Sequence, residues 1–282
     1  MAIRAASLLS VCLQTSFHAG TAIRQIQASG QLQTFQKGVD DPCTIADLTA
    51  QRIIASTLAH YFPTLTVIGE ENIPLEPSMA LKDLDLHVVS EDLLGSASPE
   101  LNVEDVTVWV DPLDGTQGFV EGNCTGVTTL IGIAYRGKSL FGLIHQPFAV
   151  PPSTYWGGIG MGVRKTVAQG PLLGQVVTPV AAPNFTLVTS AHHCNAADLA
   201  FLQSLQPAQI TNASGCGYKV LLVINGEAAL YVFPRPGQKK WDTCASEAVV
   251  KALGGHISDM LGRGFEYHRT VQKDNFAGVR SI

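Results

Sequence analysis

Residues Val106–Gly122 read VTVWVDPLDGTQGFVEG. The stretch opens on β-branched and aromatic residues (Val106, Val108, Trp109, Val110), the composition of a buried strand. The pattern predicts that this strand stops at Asp111-Pro112. A turn follows that carries Asp111 and Asp114, three positions apart, and then Gly115-Thr116. Closely spaced acids and a glycine at a strand end make a seat for a hard cation, which takes oxygen ligands, and for an anion, which the freed amides of the turn can bind.

The surrounding chain has ample material for a core. It is 282 residues long with 46% hydrophobic and 15% charged residues, enough for one large domain or two modest ones sharing a core. A formal net charge of -5 argues against a nucleic-acid polymer or an anionic membrane as the partner, but not against a small anionic substrate, because a bound metal inverts the local charge. Cys12, Cys43, Cys124, Cys194, Cys216 and Cys244 are scattered with no C-x-x-C pair, the pattern of reduced thiols in a cytoplasmic protein. No apolar run approaches the roughly 20 residues of a membrane span. The N-terminal MAIRAASLLSVCLQ has the look of a leader, but helical periodicity continues through Phe17, Ile23 and Ile26, so a first helix over 5–28 is expected.

Further along, Thr44-x-x-Asp47 matches an N-cap with an acid at N3, opening a helix that reaches about Tyr61. Asp47 therefore has two readings, a cap partner or a carboxylate aimed into a site. Thr64–Ile68 reads as a strand that runs out into Gly69-Glu70-Glu71, a second strand end bearing acids. Residues 72–104 read as an irregular, mobile surface excursion. Val127–Tyr135 and Ser139–Gln146 read as a hairpin turning at Arg136-Gly137, and the three prolines of 147–152 mark a boundary between halves 1–150 and 151–282. In the second half strands are expected near 184–189, 208–211, 228–233, 256–259 and 277–280. Helices are expected near 196–205, from Tyr218, and from Trp241-Asp242 to Leu253.

Several tempting motifs carry little. Gly157–Gly162 (GGIGMG) lacks the following helix of a dinucleotide loop. His192-His193 reads as a polar loop end, Lys239-Lys240 as a solvated face, and the D-x-D-x-D-G spacing of a calcium loop is absent. A phosphatase with an aspartate nucleophile needs D-x-D-G-T, whereas here two residues separate the acids.

Taken together, CTIADLTAQ (43–51), FPTLTVIGEE (62–71), VWVDPLDGT (108–116), TTLIGIAYRGK (128–138) and GQKKWDTCASE (237–247) resemble the inositol monophosphatase-like superfamily over nearly the whole chain. Within it the similarity is strongest to the 3'(2'),5'-bisphosphate nucleotidases. The resemblance implies an alternating α-β-α-β-α sandwich and two or three Mg²⁺ ions per site. Glu70, Asp111, the carbonyl of Leu113, Asp114 and Asp242 would be the ligands, Asp47 and Thr116 would orient and deprotonate the attacking water, and Gly115 and Thr116 would hold the scissile phosphate. Ser190, His193, Gly215 and Lys219, with Asp242, would contact the rest of the substrate. The implied reaction is removal of the 3'-phosphate of adenosine 3',5'-bisphosphate, and of 3'-phosphoadenylyl sulfate, with inhibition by lithium. The alternatives are an inositol (poly)phosphate 1-phosphatase and a non-catalytic nucleotide- or metal-binding relative.

Overall fold

A computed structural model of the chain describes residues 1–38, 41–95 and 100–269, and the backbone of 275–280. The described residues form two principal sheets, one of seven strands and one of five. At their centre is the apolar run at Val106. The strand β2 (Val106–Asp114) is buried along its entire length. Its side chains alternate between two cores. Val108 and Val110 face α1 (Ala5–Ser29) and α2 (Ile45–Tyr61), whereas Trp109 faces the middle of the molecule. Ile131 and Ile133 against Leu130 repeat this alternation on β3 (Thr128–Tyr135), as do Phe141 and Leu143 against Ile144 on β4 (Lys138–Gln146). A sheet covered on both faces needs such two-sided apolar strands.

Parallel to β2 lies β1 (Thr66–Gly69), in register Gly69↔Val110, so both acid-bearing ends finish side by side. On its other edge β2 pairs antiparallel with β3, β3 with β4, β4 with β5 (Ser153–Gly158), β5 with β6 (Gly162–Val167), and β6 with the short β7 (Gln175–Val176). The second sheet is built from β8 (Thr186–Ser190), β9 (Gln209–Ala213), β10 (Leu230–Gln238), β11 (His256–Ser258) and β12 (Asn275–Arg280), in the order β9-β8-β10-β12-β11. Helices α5 (Cys216–Ile224) and α6 (Lys240–Ala252) contact both sheets, and α4 (Ala196–Ser204) covers the outer face of the second, where Leu202 clusters with Leu187 and Val232. The layers thus run α-β-α-β-α, as the resemblance implies.

Two local devices fix the layers that carry the site. Thr44 caps α2, accepting from the Ala46 amide at 3.1 Å, while Asp47 accepts back from the Thr44 amide at 2.7 Å, a reciprocal capping box. Helix α6 lies directly on Gly132 and Gly142. A Cβ on Gly132 would stand 2.6 Å from the Ala245 nitrogen, and one on Gly142 2.1 Å from the Ala245 oxygen, so only glycine lets the helix approach this closely.

The structure departs from the sequence-based expectations in several places. Strand β2 does not stop at Asp111 but continues to Asp114, with its register against β3 shifting between the two acids. Residues 147–152 join β4 and β5, antiparallel neighbours in one sheet, and the passage to the second sheet comes between Val176 and Thr186. The glycines of GGIGMG form the tight connection from β5 to β6, where Gly160 and Gly162 take φ of 86° and 75°. Neither of those two strands was legible in the sequence. Residues 31–43, polar in composition and given no element from the sequence, hold a strand, Phe35–Gly38, paired with Asp41–Cys43. The 72–104 excursion sends Val89 and Leu94 into the core, and its Glu100–Asn102 pairs with Ala2–Arg4, while 96–99 lie outside the described residues. Among the described residues no helix is long and apolar enough to cross a membrane.

Candidate active site

The ends of β1 and β2 set the chemistry. The Glu70 amide donates to the Val110 carbonyl at 2.9 Å, which brings the first residue after β1 beside Asp111. Asp111 is buried, and its Oδ1 accepts from the Leu113 amide at 3.2 Å. Asp114 ends the strand with both oxygens engaged. Oδ1 accepts from the Cys216 amide at 2.7 Å, and Oδ2 accepts from the Gly217 amide at 2.8 Å and from the Thr128 hydroxyl at 2.6 Å. It therefore sits on the first amides of α5, where a helix N-terminus favours negative charge. That helix begins two residues before the expected Tyr218, and the two extra residues supply these amides. Asp242, at the third position of α6, accepts from the Lys239 amide at 2.5 Å.

Thr116 opens the short helix α3 (Thr116–Val120) directly after Gly115, whose φ of 92° is accessible to glycine at little cost. Its hydroxyl lies 3.0 Å from Asp47 Oδ1 and 2.8 Å from the Leu113 carbonyl, one proton shared between two acceptors. Asp47 is buried, with its second oxygen held by the Thr44 hydroxyl at 2.6 Å. The cap reading of Asp47 is thus realised through Oδ2, while Oδ1 meets Thr116.

Burial pushes the Asp47 carboxyl up to about 6, against the opposing pull of its hydrogen bonds from Thr44. Burial raises Glu70 to about 7, with Glu71 and Asp47 adding to it and the Lys37 ammonium opposing. Asp242 is raised to about 7 by burial and then by Glu70, and Asp111 is raised well above the usual range by burial, Glu70, Asp114 and Asp242. Carboxylates crowded this way resist ionising together unless a cation joins them. Lys37 supplies one positive charge, donating to Glu70 at 2.6 Å and to Glu71 at 2.7 Å. Nothing in the spacing of the polar segment around Lys37 announced that role.

One cleft of about 460 Å³ takes in Glu70, Asp111, Leu113, Asp114, Gly115, Thr116, Ser190, His193, Gly215, Lys219 and Asp242, with Asp47 behind Thr116. Among the described residues no group of three acid, histidine or cysteine side chains is arranged to grip one ion as it stands. Glu70 is turned to Lys37 and Asp114 to the α5 amides. The donor chemistry nonetheless fits divalent ions of the magnesium type: hard oxygens only, crowded into one cleft, with raised proton affinities that a cation would relieve.

The opposite wall comes from the second sheet. Ser190 ends β8, and its hydroxyl accepts from the His193 amide at 3.2 Å. His193 meets Phe233 edge-on, with ring centroids 6.5 Å apart. Gly215 holds φ at 69°, and a Cβ there would stand 2.1 Å from the Gly126 carbonyl. Lys219 lines the cleft, but its ammonium donates to the Gly215 carbonyl at 2.5 Å and the Ala213 carbonyl at 3.4 Å, and burial lowers its pKa.

The chain has relatives of known family. The family model described as the inositol monophosphatase family matches residues 5–278. The chain belongs to the inositol monophosphatase family. Within that family it is 37% identical over 272 residues to human 3'(2'),5'-bisphosphate nucleotidase 1, covering 93% of this chain and 85% of that protein. It is 32% identical over 285 residues to the Dictyostelium discoideum protein of the same name, covering 96% and 91%. Among solved structures, CysQ from Bacteroides thetaiotaomicron, a bacterial member of the family, superposes with a TM-score of 0.71 at 20% identity, covering 96% of each chain. At that identity the superposition speaks to the fold.

Proposed function

We propose that this chain is a divalent-cation-dependent phosphomonoesterase that removes the 3'-phosphate of adenosine 3',5'-bisphosphate, giving AMP and phosphate. The observation that carries the reading is the hydrogen bond from Thr116 to Asp47 at the lip of a cleft holding Glu70, Asp111, Asp114 and Asp242. The identity with bisphosphate nucleotidases over almost the whole chain supports the choice of substrate.

In this reading Glu70, Asp111, the Leu113 carbonyl, Asp114 and Asp242 hold two or three Mg²⁺ ions. Once bound, such ions lower the pKa of water and neutralise the charge that develops on the leaving oxygen. The chain's own groups do the rest. Thr116 accepts a hydrogen bond from the attacking water and passes its own hydroxyl proton toward Asp47, a base held near neutrality by burial. The Gly115 and Thr116 amides cradle the phosphate where α3 starts. Ser190, His193, Gly215 and Lys219 form the wall against which the nucleoside rests. The cation set makes the enzyme sensitive to lithium. Free cysteines throughout the chain support a reducing, cytoplasmic setting.

Phosphate release from a panel with added Mg²⁺ tests the reading. Adenosine 3',5'-bisphosphate is expected to be the best substrate. Brisk hydrolysis of inositol 1-phosphate with none of the bisphosphate would sink it in favour of the inositol phosphatase alternative, and no release from any ester would favour a non-catalytic relative.

A further inference from the structure

The far wall of the cleft carries a cation that neither the motifs nor the chemistry above employs. Arg235 lies on β10 between Pro234 and Pro236. Each proline fixes its φ and removes a ladder donor. The pairing of β10 with β12 slips between Phe233 and Gln238, so the segment leaves regular sheet geometry and Arg235 lines the cleft. Its Nη2 donates to Asp198 at 2.5 Å. Asp198 is itself fixed as the N3 residue of α4, where it accepts from the Asn195 amide at 2.9 Å. The arginine side chain keeps 31% of its surface exposed against 12% for the aspartate, and its Nε is buried with no acceptor. The guanidinium is thus anchored without being saturated.

Two other cations of the cleft are committed elsewhere. Lys37 serves Glu70 and Glu71, and Lys219 serves the loop carbonyls of Ala213 and Gly215. A guanidinium has five N–H donors in a planar fork that matches phosphate oxygens, and one carboxylate on Nη2 leaves donors over. Phe233, two residues before Arg235, presents a ring on the same wall, a surface for a nucleoside between the two phosphates.

The structure assigns Arg235 as a specificity residue that receives the substrate's uncleaved phosphate, so that the cleft prefers a bisphosphate to a monophosphate. This rests on the nucleotidase reading. The acids, Asp47 and Thr116 act on the scissile phosphate alone, and the charge of the second phosphate needs a separate counterpart. The Asp198 anchor holds the fork in place before the substrate arrives, which reduces the side-chain entropy lost on binding.

Steady-state kinetics of the full chain with Mg²⁺ test this, using adenosine 3',5'-bisphosphate and adenosine 3'-monophosphate. Arg235→Ala is expected to raise KM for the bisphosphate about tenfold, a loss of the size of one charge-assisted contact, with kcat and the monophosphate KM within about twofold of wild type. Arg235→Lys keeps the charge but not the fork and is expected to fall between. Arg235→Ala combined with Asp198→Asn is expected to keep the selective loss, which separates the missing contact from repulsion by a bared aspartate. An equal change on both substrates, no change on either, or a return to wild-type KM in the double variant overturns the assignment. Should Arg235→Ala melt before assay, Arg235→Lys decides by the same selectivity. A wild type that shows no preference for the bisphosphate refutes the nucleotidase reading itself, and that result is read before any variant.

Discussion

The two walls of the cleft are built on different principles. The acid wall grows out of strand ends: Asp111 and Asp114 are buried backbone-anchored residues of β2, Glu70 follows β1, and every carboxylate is held by an amide, a hydroxyl or Lys37. The wall proposed to meet the substrate combines a strand end, Ser190, with loop and bulge residues, His193, Gly215 and Arg235, hung on a smaller sheet. Rigid, desolvated groups suit the making and breaking of bonds, and adjustable ones suit recognition. The contrast predicts that substitutions on the acid wall act on turnover and those on the substrate wall act on KM.

The largest effect is expected from Asp111→Asn. Losing a proposed metal ligand, and with it about 4 kcal/mol of charge stabilisation, would lower kcat about a thousandfold. Because burial disfavours this charge, the variant is expected to melt no lower than wild type when no divalent cation is added. Wild-type turnover in that variant would break the acid-wall reading. Thr116→Val comes next, keeping the shape and removing the hydroxyl that meets Asp47, with kcat expected to fall about a hundredfold and KM to hold. A rise in KM alone would move Thr116 to the recognition side of the comparison.

Gly215→Ala probes the seam between the walls. Its Cβ would press on the Gly126 carbonyl at positive φ, at a cost of about 2 kcal/mol of stability, measured by denaturant titration. The loop it displaces feeds the Cys216 and Gly217 amides to Asp114, so kcat is expected to fall along with the KM effect; a pure KM effect would show that the walls move independently. The smallest effect lies outside both walls. His145 is buried against α1, its Nδ1 2.8 Å from the Thr154 hydroxyl, and burial lowers its pKa to about 3. The unfolded chain binds that proton below about 6.5 and the folded chain does not, so stability falls as pH drops from 6.5 toward 3, by at most about 1.4 kcal/mol per unit. Denaturation of wild type and His145→Gln at pH 7 and pH 5 measures it; an equal loss in both would mean that His145 is not the group titrating.

How far each wall was legible follows from the range of its interactions. The capping box at Thr44 and Asp47, the apolar run of β2 and the acids behind it are local patterns, and the structure keeps them with shifts of a few residues. The role of Asp114 as the anchor of α5 was hidden, because its partners stand more than a hundred positions away in sequence. Lys37 looked like any lysine in a polar segment until the fold laid it across Glu70 and Glu71. The β5–β6 hairpin was masked by glycines that serve its turn, and Arg235 by the prolines that push it out of the ladder. The residues that read worst are those whose meaning depends on a non-local partner.

Gly132 and Gly142 do not line the cleft, yet they support the helix that carries Asp242. Helix α6 rests on them at Ala245, one turn from Asp242, like a beam on a fulcrum. A methyl group added at either glycine would tilt the beam and swing Asp242 out of line with Asp111, so the reach of an active-site carboxylate is set by atoms that are absent from two strands beneath it. Mutational tolerance at those positions should track catalysis more closely than their lack of side chains would suggest.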